Sequence, residues 1–220
     1  MSEATPDEAD KAGPRTPKGT KTRERLLEAA KATFEETGFL DARISDIADR
    51  AGLSHGSFYY YFDSKEQIFR EVAIAVDDQL AAPLGDVILS PTSRELPRER
   101  IHEAIRRHFE SYRDEARIMG QIEQVSRYDD QVNAVRAERN RVYGAQVADS
   151  IRSLQRRGLA DAELDPVVAA AALGALTYRF AEMWLVHQGI DAPLEQGIDQ
   201  VARLFANALG VEDGRADGAD

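Results

Sequence analysis

Between Arg43 and Lys65 the chain gathers side chains suited to one kind of chemistry, hydrogen bonding to an anionic polymer and to flat heteroaromatic edges. Hydroxyls come from Ser45, Ser54, Ser57, Tyr59, Tyr60 and Tyr61, cationic groups from Arg43 and Lys65, and an imidazole from His55, with Gly56 leaving room for close approach. Small polar groups at the start of a helix can reach base edges in the major groove of DNA, while hydroxyls and cations hold phosphates. The three consecutive tyrosines cannot all be core residues. Successive side chains on a helix point about 100° apart, so one or two of them must face outward.

Two short helices are needed to present these groups. Ile44, Ile47, Ala48 and Ala51 recur at i, i+3, i+4 and i+7, which makes one apolar face. Gly52 can take the left-handed conformation that ends this helix, after which Leu53 turns inward as an apolar plug. Ser54 is a fitting N-cap for the next helix, whose buried side holds Phe58 and Phe62, four residues apart. The pattern is that of a helix-turn-helix reading head.

Ala48, Gly52-Leu53-Ser54, Gly56, Phe58-Tyr59, Phe62 and Ser64-Lys65-Glu66 resemble the signature of TetR-type (TetR/AcrR) transcriptional repressors. The specific resemblance covers about residues 20 to 70. It implies a three-helix reading domain, a fourth helix starting at Ser64-Lys65-Glu66, and an all-α C-terminal domain for dimerisation and ligand binding. Two departures stand out. The family's usual Ser or Thr cap on the second helix is replaced by Arg43, and His55 stands where Lys, Arg or Pro is common. Arg43 can itself bind a phosphate, but no relative's operator sequence carries over.

The 220 residues, 43% hydrophobic, suffice for one large or two small domains. With no cysteine there is no disulfide or thiolate chemistry, which fits a reducing compartment. No apolar run approaches the ~20 residues of a membrane span, and the N-terminus lacks a signal-peptide core, so a soluble cytoplasmic protein with no membrane partner is expected. The net charge of −11 hides an asymmetry. Six basic residues and one acid lie between Lys11 and Arg25, and all five lysines fall at or before Lys65, whereas residues 71–220 hold 17 arginines against 26 acids. Positive charge therefore accompanies the reading head.

Residues 1–18, rich in Pro, Gly and charge, are expected to form a disordered arm, 19–64 the DNA-binding domain, 65–210 the ligand-binding and dimerisation domain, and 211–220 a frayed acidic tail. A first helix is predicted over about 20–37 with Gly38 as its stop, and a fourth from Ser64 to about Leu80. After a linker from Pro83 to Pro97, helices follow over roughly 98–114, 117–127, 129–157, 166–188 and 194–209. No stretch has strand periodicity, so the chain reads as all-α.

The segment from Val167 to Leu176 is apolar on every side, which calls for burial on two sides: the domain core and, as the resemblance implies, a partner subunit in a symmetric homodimer. Phe109, Tyr112, Met119, Ile122, Tyr143, Val147, Leu176, Phe180, Met183 and Trp184 make an aromatic and methionine cluster suited to an apolar ligand. The resemblance implies that such an effector (lipid or acyl, steroid or aromatic) releases the dimer from a palindromic operator on double-stranded DNA. The alternative is a DNA-binding regulator whose C-terminal domain recruits a protein and holds no small molecule. Catalysis is not expected. His102 and His108 are six apart, off the i, i+4 spacing of a metal pair, and no phosphate loop or nucleophile elbow is present, so neither metal nor cofactor is expected.

Overall fold

The computed structural model describes residues 16–88 and 96–211, so the 1–15 stretch of the predicted arm and the tail beyond Val211 lie outside the described residues. Nine α-helices and no strand occur among the described residues. They are α1 (Pro17–Asp41), α2 (Ile44–Arg50), α3 (His55–Tyr61), α4 (Lys65–Ile88), α5 (Pro97–Asp114), α6 (Ala116–Ser126), α7 (Asp130–Arg156), α8 (Pro166–Ala181) and α9 (Leu194–Ala208). One turn of π-helix, Glu182–Val186, continues α8. The chain divides into two compact units, Met1–Val72 and Ala73–Asp220, with the division inside α4.

The first unit packs α1, α2, α3 and the start of α4 around aromatic rings. Phe69 meets Phe34 edge-on at 5.0 Å and Phe39 at 4.7 Å, and Phe58 lies 5.7 Å from Phe62. Leu26, Ala30, Ile47, Ala48 and Ile68 fill the rest, all fully buried. Each large apolar side chain so enclosed contributes about 1.5–3 kcal/mol. Gly38, at φ 79°, breaks α1 and lets its last turn redirect Phe39 into this core.

In the second unit α5 packs on α9 and α7 on α8. The approach of α9 is close: a methyl group on Gly197 would sit 2.1 Å from the Trp184 ring, so only glycine lets α9 pass. Local capping sets the helix starts. Asp129 accepts from the backbone N–H of Gln131 and Val132, and Asp165 accepts from Val167 and Val168 with Pro166 at the first helical position.

Two features depart from the sequence reading. Helix α4 passes through Pro83 to Ile88 where a linker was expected. Proline removes one backbone bond, and the turn before it is held by the buried Val76, Leu80 and Ala81. The helix expected over 166–188 widens at Glu182, where the His187 N–H donates to the Glu182 carbonyl at 3.0 Å, five residues back. None of the described helices is long and apolar enough to cross a membrane.

Candidate nucleic-acid interface

The turn that presents α3 is built from local bonds. Gly52 adopts φ 65°, and the Leu53 N–H donates to the Ala48 carbonyl at 2.9 Å, closing α2. Ser54 then caps α3: its Oγ accepts from the Ser57 N–H at 3.2 Å and lies 2.8 Å from the Ser57 hydroxyl. Arg25 from α1 donates to the Ala51 carbonyl and pins the end of α2. With Phe58 buried at 0% exposure, α3 turns the opposite face outward. Ser54, His55, Gly56, Tyr59 and Tyr60 are exposed on it, and Ser57 and Tyr61 are half-buried. Tyr60 is the most open of the three tyrosines, at 76% against 45% for Tyr59. The His55 ring meets Tyr59 at 5.3 Å, and the Tyr60 and Tyr61 rings meet at 5.0 Å.

Beside this face, Arg43 is exposed at the start of α2 and makes no capping bond, and the Ser45 hydroxyl donates to Asp46 at 3.1 Å. Lys18 and Lys21 are exposed on the first turns of α1. Lys65 behaves differently from the sequence expectation. Its ammonium donates to the carbonyls of Phe39 at 2.7 Å, Ala42 at 3.0 Å and Leu40 at 3.1 Å, and stands 4.7 Å over the Phe39 ring. An ammonium has three donors, and all three point to the end of α1. A cleft of about 420 Å³ lined by Arg25, Glu28, Asp49, Arg50 and Gly52 lies on this unit, apart from the residues expected to hold a small molecule.

In the second unit the expected ligand residues separate into three groups. Phe109, Phe180 and Trp184 meet as a triangle of rings with centroids 5.4–5.9 Å apart. Tyr112, Met119 and Ile122 are fully buried, and Tyr143 and Val147 are half-buried. Leu176 on α8 and Met183 in the π turn are 41% and 42% exposed, as are Val167 and Val168 of α8, at 57% and 66%.

Beside the aromatic triangle lies a polar centre that the sequence reading missed. Arg136 on α7 is buried and donates to Glu123 at 2.7 Å and to the Ser126 hydroxyl at 3.1 Å. Its Nε stands 3.6 Å from Asp77, an ion pair too long for a good hydrogen bond. Its guanidinium also lies 5.2 Å over the Tyr178 ring, and the Tyr178 hydroxyl donates to Glu123. Asp78 accepts from Tyr143 at 2.6 Å and from Arg139 at 3.1 Å. Burial raises the Asp77 carboxyl from 3.8 to about 6, a rise opposed by Arg136 and reinforced by Glu123 and Asp78. Burial also holds the Tyr112 phenol far above its usual range and His108 below its own. Charged residues within a helical pattern read as solvated surface, which hides this centre from the sequence. The usable signals were Asp77-Asp78 inside the apolar run Val72–Leu80, and Glu182 between Ala181 and Met183. Among the described residues no three His, Asp or Glu side chains are grouped to hold a metal ion.

Residues 26–72 match the family described as bacterial regulatory proteins, tetR family. The HTH-type transcriptional regulator YdgC of Bacillus subtilis is 51% identical over 55 residues, 25% of this chain and 28% of that protein. The HTH-type transcriptional repressor KstR2 of Mycobacterium tuberculosis is 35% identical over 118 residues, 49% of this chain and 58% of that protein. The matched segments thus span between a quarter and three fifths of these relatives' lengths. Among solved structures, the transcriptional regulator FadR from Bacillus subtilis in complex with stearoyl-CoA superimposes with a TM-score of 0.70 at 18% identity, covering 84% of this chain and 98% of that one.

Proposed function

We propose, from the match of residues 26–72 to the tetR family of bacterial regulatory proteins, that the N-terminal unit binds DNA and that the chain is a ligand-responsive transcriptional repressor that binds a palindromic operator as a homodimer. The observation that carries this reading is the outward face of α3, where Ser54, His55, Gly56, Ser57 and Tyr60 stand clear of the core on a helix fixed by Phe58 and Phe62. His55, Ser57 and the open backbone at Gly56 read base edges. Ser54, Ser45, Arg43 and the three tyrosines hold phosphates. Lys65 acts one step removed, by fixing the α1 end against which α2 is set.

The exposed apolar side chains of α8 and the π turn, Val167, Val168, Leu176 and Met183, support dimerisation through that segment, since an apolar surface of this kind is rarely left in water. A twofold axis then requires half-sites about 34–36 Å apart or a multiple of that spacing. The likeness in fold to a regulator that binds stearoyl-CoA supports an effector with a large apolar body. The ring triangle of Phe109, Phe180 and Trp184 supports the same class. Helix α4 leads from the reading unit into the second unit, so a ligand that prefers one position of α4 alters operator affinity. A coupling of about 1–3 kcal/mol would give a roughly 5- to 150-fold change.

The test is selection of operator DNA from a random pool by the purified chain, then titration of the selected duplex with and without apolar effectors. Selection of an inverted repeat, weakened by replacing Ser57 and His55, is the expected result. A non-palindromic site, or a monomer by sedimentation at micromolar concentration, would overturn the dimer reading.

A further inference from the structure

Six elements of the second unit each send one polar group to the same interior region: Asp77 from α4, Tyr112 from α5, Glu123 from α6, Arg136 from α7, Tyr178 from α8 and Glu182 from the π turn. The charges do not balance. Glu182 is matched by Arg179 at 2.5 Å and by His187 at 3.2 Å. Among the described residues Arg136 alone faces both Asp77 and Glu123, which leaves one carboxylate in excess. A buried carboxylate without a counter-charge takes up a proton or a cation.

Three buried polar atoms of this centre make no hydrogen bond among the described residues, and the first, Arg136 Nε, faces Asp77 at 3.6 Å. The Tyr112 hydroxyl, on a fully buried side chain, has no hydrogen-bond partner among the described residues, and neither has Nε2 of the buried His108 four residues earlier. His108 Nδ1 lies 3.1 Å from the Leu80 carbonyl, so it must be the donor, and Nε2 of the neutral ring is left as a lone-pair acceptor. The two rings are 6.1 Å apart. Buried groups of this kind nearly always have a partner. The His108 nitrogen calls for a hydrogen-bond donor, the Tyr112 hydroxyl can accept from one while donating to a carboxylate, and the excess carboxylate calls for positive charge.

We propose that this centre is the polar end of an interior binding site for a monocationic amphiphile, an alkyl- or aryl-ammonium whose apolar body lies against Phe109, Phe180 and Trp184. An ammonium brings three donors and one charge, for the Tyr112 oxygen, the His108 nitrogen and the second of the two carboxylates that share Arg136. A carboxylate or phosphate head would add a second uncompensated negative charge, and the site rejects it. The inference rests on the ligand-responsive reading above and narrows its effector from apolar molecules in general to cationic ones.

The test uses Trp184, the single tryptophan of the chain and two residues from Glu182. Its fluorescence is followed in the full-length protein during titration with dodecylammonium, dodecanol and dodecanoate, each below its micellar concentration. Dodecylammonium should saturate the signal at least tenfold more tightly than dodecanoate, with dodecanol between them. Glu123→Gln should cut that preference about tenfold. Tyr112→Phe, which keeps the ring and its packing, should weaken dodecylammonium several-fold without moving the melting temperature, so a fold defect in the first variant does not decide the matter. Equal or tighter binding of dodecanoate, an unchanged preference in both variants, or no saturable response to any probe would overturn the site. Operator release is measured separately. Dodecylammonium that binds with the stated preference but leaves the operator complex intact would refute the switch and uphold the site. Release by dodecanoate alone would do the reverse.

Discussion

The two units of this molecule treat charge in opposite ways. In the reading unit the interior is rings and aliphatic chains, and the ion pairs Arg23–Glu71 and Arg50–Glu36 stay where water reaches them. In the second unit Arg136, Glu123 and Asp77 are carried inward and surrounded by tyrosines. An apolar core held by interlocking rings gives a rigid platform, as a helix that must meet a fixed groove requires. A buried polar centre with unmet hydrogen-bonding capacity costs stability, and it leaves a place where a bound molecule can supply what is missing. The placement of charge thus fits the proposed division between a platform in one unit and a ligand site in the other.

The largest effect should come from breaking the buried pair while leaving a surface pair as control. Arg136→Ala strands Asp77 and Glu123 and should destabilise the second unit by about 3–5 kcal/mol in urea unfolding. Arg50→Ala should cost the first unit no more than about 1 kcal/mol. Equal losses in the two variants would erase the contrast.

Next in size is a pH effect confined to the second unit. Asp77 titrates near 6 when folded and at 3.8 otherwise, so protonation favours the fold. The stabilisation is fully present below about pH 4 and is lost as pH rises through 6, about 3 kcal/mol in all. Asp77→Asn should remove this slope between pH 4 and 7 in thermal unfolding. A slope of the same size in the variant would assign it to other groups.

Lys65→Met sharpens the comparison from the reading side. It leaves the carbonyls of Phe39, Leu40 and Ala42 without their cationic donor, at a cost of about 2 kcal/mol to that unit. Operator binding should weaken for all sequences alike while the salt dependence keeps its slope, because no phosphate contact is lost. A slope reduced by about one counterion would instead place the ammonium on DNA. The smallest effect expected is that of Ser57→Ala, about 1 kcal/mol at the cognate operator with relaxed preference at one base pair and unchanged stability, read by competition binding.

What the sequence alone determined lies within a few residues along the chain. The apolar spacing set most of the helices, Gly38 and Gly52 take the positive φ that ends a helix, and Ser54 caps α3 as its place before Phe58 requires. With 100° between neighbours, the tyrosine triplet had to put Tyr60 outside. These features depend on contacts between positions i and i+5 at most, so residue type and spacing suffice. The tertiary structure decided the rest. Lys65 turns to carbonyls 23 to 26 positions away, Arg136 meets Asp77 from another helix, and α4 runs on through Pro83. A lysine or an aspartate in a helical pattern looks the same whether it faces water or a distant carbonyl, and only the packing of remote segments tells the two apart.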